Sequence, residues 1–175
     1  MAEETLASAQ RLVDKDVFFL LGHTGAGKST TIQLLAGSEM EETKVATGHG
    51  DLPHIAVRKF AQLEGQDLRK VALSPHATSC TRFIHAVEFT YDDAVNEDSH
   101  QVILCDTPGL MDTRGVEVDV ANQFGVAQAA RVCRSVVPLV LLSEADMGGR
   151  LAGLKNIAGV LSEMFTNFQA SHRSL

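Results

Sequence analysis

The stretch Val17-Phe-Phe-Leu-Leu-Gly-His-Thr-Gly-Ala-Gly-Lys-Ser-Thr-Thr31 decides how the chain is read. Its apolar start, Val17 to Leu21, has the length and character of a buried strand. A glycine-rich turn follows, and Thr30 to Ala36 has helical composition with Gly37 placed as its C-cap. Strand, loop and helix form the setting in which Gly22-His23-Thr24-Gly25-Ala26-Gly27-Lys28-Ser29, a match to G-x-x-x-x-G-K-[ST], carries chemistry. Glycines let successive backbone N–H groups turn inward toward phosphate oxygens, and the helix adds the positive end of its dipole. Lys28 supplies a full charge near the β- and γ-phosphates. Ser29 offers a hydroxyl to Mg²⁺, which fills most of its other positions with water and phosphate oxygens. Gly22 through Ser29, with Thr30 beside them, form the expected nucleotide-binding set.

Farther along, Asp106-Thr-Pro-Gly109 follows the apolar run Val102 to Cys105. A carboxylate at the carboxyl edge of a buried strand, next to such a loop, suits a direct or water-mediated Mg²⁺ ligand. Gly109 can bring a backbone N–H close to a γ-phosphate, and its loop can order or relax as that phosphate comes and goes. Arg82 to Tyr91 reads as a strand, Asp92 to His100 as a polar connection, and Gln101 to Asp106 as a second strand. Val116 to Val132 reads as a helix with Val116, Val120, Phe124 and Ala127 on one face, and Val136 to Leu142 as another strand. After a turn over Ser143 to Gly149, apolar residues from Leu151 to Phe168 recur at helical spacing. The segment from Ser38 to Ser79 has no clean period and offers at best one helix around Phe60 to Leu73, so it reads as a long insertion or mobile loop. Alternating strands and helices imply an α/β architecture with a mainly parallel sheet and ligands at the carboxyl ends of its strands.

Composition narrows the function classes. A chain of 175 residues with 45% apolar and 21% charged residues is sized and mixed like one compact domain. The formal charge of −7 argues against a surface that neutralises nucleic-acid phosphates. Cys80, Cys105 and Cys133 form an odd set without CxxC spacing, which fits reduced thiols and a cytoplasmic location better than a disulfide framework or zinc. The most apolar run is too short to cross a bilayer as a helix, and the first fifteen residues do not make a secretory signal.

The Gly-x-Thr-Gly-x-Gly-Lys-Ser loop together with Asp-Thr-Pro-Gly resembles septins and the immunity-associated AIG1-type GTPases of the translation-factor-related class. The likeness covers roughly Val17 to Phe168, with its specificity in those two motifs. It implies a three-layer P-loop NTPase fold, with residues 16–175 as a partial G domain behind a helical or flexible segment 1–15. It also implies GTP or GDP with Mg²⁺ as cofactors. In that class a threonine between the first helix and the second strand closes over Mg²⁺ and the γ-phosphate. The resemblance assigns this role to Thr78 in Ala77-Thr-Ser-Cys-Thr81, with Thr81 as the alternative. The implied metal set is then Ser29, Asp106 and Thr78, and the implied catalytic set is Lys28, Thr78 and Gly109. The family reads guanine through an Asn/Thr-Lys-x-Asp sequence after the fifth strand. None occurs here, so the expectation is a chain cut before that element, with the last strands missing and Val136 to Leu142 left as a sheet edge.

Many small GTPases follow Asp-x-x-Gly with a glutamine that orients the attacking water, whereas this chain has Leu110. The expected hydrolysis is therefore slow, or completed by a partner's arginine or a second protomer docked on the nucleotide face. His23 and Arg114 are the chain's own candidates for a transition-state helper, against the plainer reading of each as a solvated loop side chain. Three functions compete: a nucleotide-operated switch or assembly GTPase read by a protein effector, an ABC-type ATPase, and a nucleotide-binding scaffold without turnover. The ABC reading draws on the same loop but lacks a Leu-Ser-Gly-Gly-Gln signature. It also has Thr107 where those ATPases carry a glutamate.

Overall fold

The computed structural model describes residues 11–47, 50–71, 73, 84–93, 98–110, 115–148 and 151–172. Strand β1 (Asp16–Leu21) leads through the glycine loop into helix α1 (Lys28–Leu35). A hairpin of β2 (Glu39–Thr47) and β3 (Gly50–Lys59) follows, then an irregular segment with a single 3-10 turn at Leu68–Lys70. Strands β4 (His85–Asp93) and β5 (Asp98–Asp106) precede helix α2 (Val116–Val132). Strand β6 (Ser135–Val140), the short helix α3 (Glu144–Met147) and helix α4 (Ala152–His172) complete the described chain.

The architecture is mixed α/β. Four strands form one sheet in the order β4-β5-β1-β6, and β2 with β3 forms a separate antiparallel pair. β1 runs parallel to both β5 and β6, while β4 is antiparallel to β5. β1 is apolar on both sides because both faces of the sheet are covered. Val17, Phe19 and Leu21 join Leu12, Ile103, Cys105 and Val126 on one face, where Ala129, Ala130 and Leu161 bring in α2 and α4. Leu20 joins Ile32 of α1, Val87, Leu104, Leu68 and Val71 on the other. The carboxyl ends of β1 and β5 thus sit side by side, with Leu20 in register with Asp106.

β6 is the outer strand of this sheet on its side, and Val137, Leu139 and Val140 are exposed. The Leu141 amide donates to the Leu21 carbonyl (2.8 Å), so alternation turns the amides of Leu139 and Val137 toward β1. Position 138 then faces outward, where Pro138 has no N–H to offer a further strand. At the start of β1, Asp16 accepts from the Arg134 guanidinium and, at 2.6 Å, from the Ser135 hydroxyl. These partners hold its pKa at about 2.

Where sequence reading expected an insertion or mobile loop, the antiparallel strands β2 and β3 occupy residues 39–47 and 50–59. Pro53 pairs with Lys44 at no cost to a wider ladder, because a two-stranded sheet has only edge strands. The expected helix over Phe60 to Leu73 is reduced to the turn at Leu68–Lys70. The polar connection is shorter than expected, since β4 runs to Asp93 and β5 begins at Asp98. Helix α2 lies where expected, but Val116, Val120 and Phe124 are exposed by 60% or more. Its packed positions are Val126, Ala129 and Ala130 because only its second half lies against the sheet. Among the described residues no helix is long and apolar enough to cross a membrane.

A buried polar network ties α1 to the irregular segment. Gln33, fully buried, donates to the carbonyls of Leu68 (2.7 Å) and Val71 (2.9 Å) and accepts from the Ser38 hydroxyl (2.8 Å). The Ser38 oxygen in turn accepts from the Ala61 amide (3.0 Å). Leu68, Val71 and Ser38 are buried like Gln33 itself, so Gln33→Ala is expected to lower folding stability by about 2–4 kcal/mol, measured by urea unfolding. A loss below about 0.5 kcal/mol would show that the network is not a structural tie.

Candidate functional site

The loop between β1 and α1 owes its path to backbone conformations that side chains disfavour. Gly25 and Gly27 sit at φ 82° and 90°, in the left-handed region open to glycine. Gly27 is the N-cap of α1, no side chain caps that helix, and no acid stands in its first turn. The positive end of the helix dipole thus has neither a capping side chain nor an acid of its own turn beside it. Within the loop the Ala26 amide turns back to the His23 carbonyl (3.2 Å).

Lys28 is buried beneath the loop, where its Nζ donates to the carbonyls of Gly22 and His23, each at 2.9 Å. Burial pushes its pKa below the ordinary lysine value, and the charges of Asp106 and Asp146 oppose that fall. One residue on, the Ser29 hydroxyl donates to Asp106 Oδ2 at 2.7 Å, across 77 positions of sequence. Asp106 is fully buried at the end of β5. The structure therefore brings together Ser29 and Asp106, the two described members of the expected metal set. Thr78 and its alternative Thr81 lie outside the described residues, as does Arg114.

The Asp106–Leu110 loop is locked onto the glycine loop. The buried Thr107 hydroxyl donates to the Leu20 carbonyl, the Leu110 amide donates to the Gly22 carbonyl (3.0 Å), and His23 and Leu110 pair as a parallel bridge. A Cβ on Gly109 would lie 2.9 Å from both Cα and N of Thr24, and would also meet its hydroxyl oxygen. A Cβ on Gly22 would lie 2.5 Å from the Leu141 carbonyl oxygen at the end of β6. Glycine at these positions lets three strand ends converge. On the expectation that the Gly109 amide serves a γ-phosphate, Gly109→Ala should push the loops apart and weaken triphosphate binding about tenfold while sparing the diphosphate. Equal affinities of wild type and variant in fluorescence titration would contradict that placement.

Sequence reasoning missed Asp146. It is 5% exposed, its Oδ2 accepts from the Ser143 amide (2.7 Å) and hydroxyl (2.8 Å), and its Oδ1 meets His23 Nδ1. Burial works against its charge, yet the Ser143 and His23 hydrogen bonds hold its pKa below the ordinary carboxylate value. The Thr24 hydroxyl and His23 Nε2 are buried without a hydrogen-bond partner. The signal in the sequence was Ser143-Glu-Ala-Asp146, a capping-box spacing that marks a helix start and gives no hint of a loop 123 residues away.

Other chemistries find less support. Burial pushes the Cys105 thiol well up and that of Cys133 to about 11, so neither is poised as a thiolate. Among the described residues no group of three or more His, Cys, Asp or Glu side chains is placed to hold a metal ion. A magnesium ion held with a nucleotide needs only one or two protein ligands. Comparison of the chain with protein-family models, with curated proteins and with solved structures finds no match.

Proposed function

We propose that this chain is a P-loop nucleotide-binding protein that takes GTP or GDP with Mg²⁺ and acts as a nucleotide-dependent switch or assembly module. The observation that carries the reading is the 2.7 Å hydrogen bond between Ser29 and Asp106, formed beside a buried lysine at the uncapped start of α1. A hydroxyl and a carboxylate in that relation fit a magnesium ion, and a lysine curled over its own loop carbonyls has a charge ready for an incoming phosphate. Ser29 and Asp106 would hold the Mg²⁺, which would supply charge neutralisation at the phosphates.

In this reading Lys28 leaves the Gly22 and His23 carbonyls and takes the β- and γ-phosphates, while the amides of Gly25 through Thr30 surround them. Ser29 and Asp106 would hold the metal side, and the resemblance gives the closing role to Thr78, or to Thr81 in its place. Gly109 reports the γ-phosphate to the loop that follows it. Leu110 is 2% exposed and apolar, so it orients no water and intrinsic hydrolysis is slow. This leaves turnover to an activating partner or a second protomer, and it favours the non-hydrolysing scaffold as the second reading.

The preference for guanine rests on the resemblance of the two motifs. Competition of GTP and ATP for the protein in Mg²⁺, with phosphate release followed in parallel, tests both points. Guanine selectivity with release slower than about one per minute fits the switch. Equal competition by ATP removes the guanine assignment, and tight binding without any release moves the protein to the scaffold reading.

A further inference from the structure

Asp146 carries no motif and stands outside the phosphate loop, yet it is bound to the loop's second residue. Ser143-Glu-Ala-Asp146 folds as a capping box, with Asp146 Oδ2 accepting from the Ser143 amide at 2.7 Å. A capping box needs only that oxygen. The other oxygen, Oδ1, faces His23 Nδ1. A carboxylate only accepts, so the facing ring nitrogen must carry the proton, which fixes the tautomer and the plane of the imidazole. The carbonyl of the same residue accepts from Lys28 Nζ at 2.9 Å. His23 is thus held at both ends, by a carboxylate through its side chain and by the phosphate-binding lysine through its backbone. Behind Asp146 the first turn of α4 closes in, since a Cβ on Gly153 would lie 2.8 Å from the Asp146 Cα. The carboxylate cannot retreat on that side.

We infer that Asp146 is a positioning residue of the nucleotide site, clamping the phosphate loop through the His23 imidazole so that the loop keeps its shape when Lys28 lets go of the Gly22 and His23 carbonyls. The inference rests on the nucleotide reading above and adds to it a residue from the short helix that follows β6. Before a nucleotide arrives, Lys28 and Asp146 both restrain residue 23. Once the lysine turns to the phosphates, the carboxylate is the side-chain restraint that remains, beside the Ala26 amide on the His23 carbonyl and the bridge to Leu110, to keep the His23–Thr24 peptide in place. Thr24 lies against Gly109, so an error at His23 is passed to the γ-phosphate side of the site.

The test measures Mg²⁺·GTP affinity for the wild type, Asp146→Asn, His23→Ala and the double variant, each checked for folding by its melting temperature. Each single change is expected to lower affinity about tenfold, the loss of one charge-assisted hydrogen bond, and the double variant no further than either single. The ring-nitrogen resonances of His23 in the wild type are expected to report a proton on Nδ1 and to shift on nucleotide addition. A folded single variant that binds like the wild type overturns the inference, and so do losses that multiply to about a hundredfold in the double variant. If Asp146→Asn melts below the assay temperature, His23→Ala decides alone by the same criterion. A wild type that binds no nucleotide removes the site reading itself, whereas a binding wild type with unaffected variants removes only the clamp.

Discussion

Lys28→Ala is expected to lower affinity for a Mg²⁺-bound nucleoside triphosphate by about 3 kcal/mol, roughly 150-fold, while the protein stays folded. The binding loss follows from removing the loop's one full positive charge, which the proposed function assigns to the β- and γ-phosphates. The tolerance of the fold follows from the lysine's surroundings. Burial pushes its pKa below the ordinary value of 10.5, so at neutral pH the fold holds its charged form at a disadvantage relative to the unfolded chain. That penalty is present below the folded-state pKa and is relieved as pH rises from it toward 10.5. Alanine removes the penalty together with the aliphatic stem and the hydrogen bonds to Gly22 and His23. Calorimetry should therefore find binding lost and the melting temperature little changed. Unaltered affinity would detach Lys28 from the phosphates.

Asp106→Asn tests the metal side. Its expected signature is a loss of about 10- to 100-fold in triphosphate affinity when Mg²⁺ is present and almost none in its absence. The asparagine keeps the volume of the fully buried side chain and can still accept from the Ser29 hydroxyl, so packing at the end of β5 survives. What it lacks is the negative charge that a hard cation needs. Affinity titrations in Mg²⁺ and in chelator separate the two outcomes. An equal loss under both conditions would make Asp106 a support for the loop with no part in holding metal.

The parts of this molecule written in local spacing could be read without coordinates. The glycine loop announces itself because its backbone path needs residues such as Gly25 and Gly27 at positive φ, and because a buried strand and a helix flank it. Asp106 was legible as the polar end of an apolar run. The hairpin was not, because no position of its strands with a described burial is fully buried, and they lack the strict apolar alternation that burial of one face imposes. Helix α2 was legible as a helix, but its face was not. Val116, Val120 and Phe124 make a good stripe, yet the second half of the helix, around Val126, meets the sheet. Asp146 was out of reach for a different reason. Its spacing to Ser143 has a complete local explanation, and its second role depends on two strand ends meeting in space.

The central claim is that the Gly22 to Ser29 loop closes on a triphosphate. Its most direct measurement is a titration of the protein with a non-hydrolysable GTP analogue in Mg²⁺, followed by proton–nitrogen correlation spectra of the backbone amides. The amides of Gly25, Gly27, Lys28 and Gly109 are expected to shift together and reach saturation at one midpoint. If those four stay fixed while the analogue binds elsewhere, or if nothing moves at millimolar concentration, the loop does not bind the nucleotide and the account is wrong.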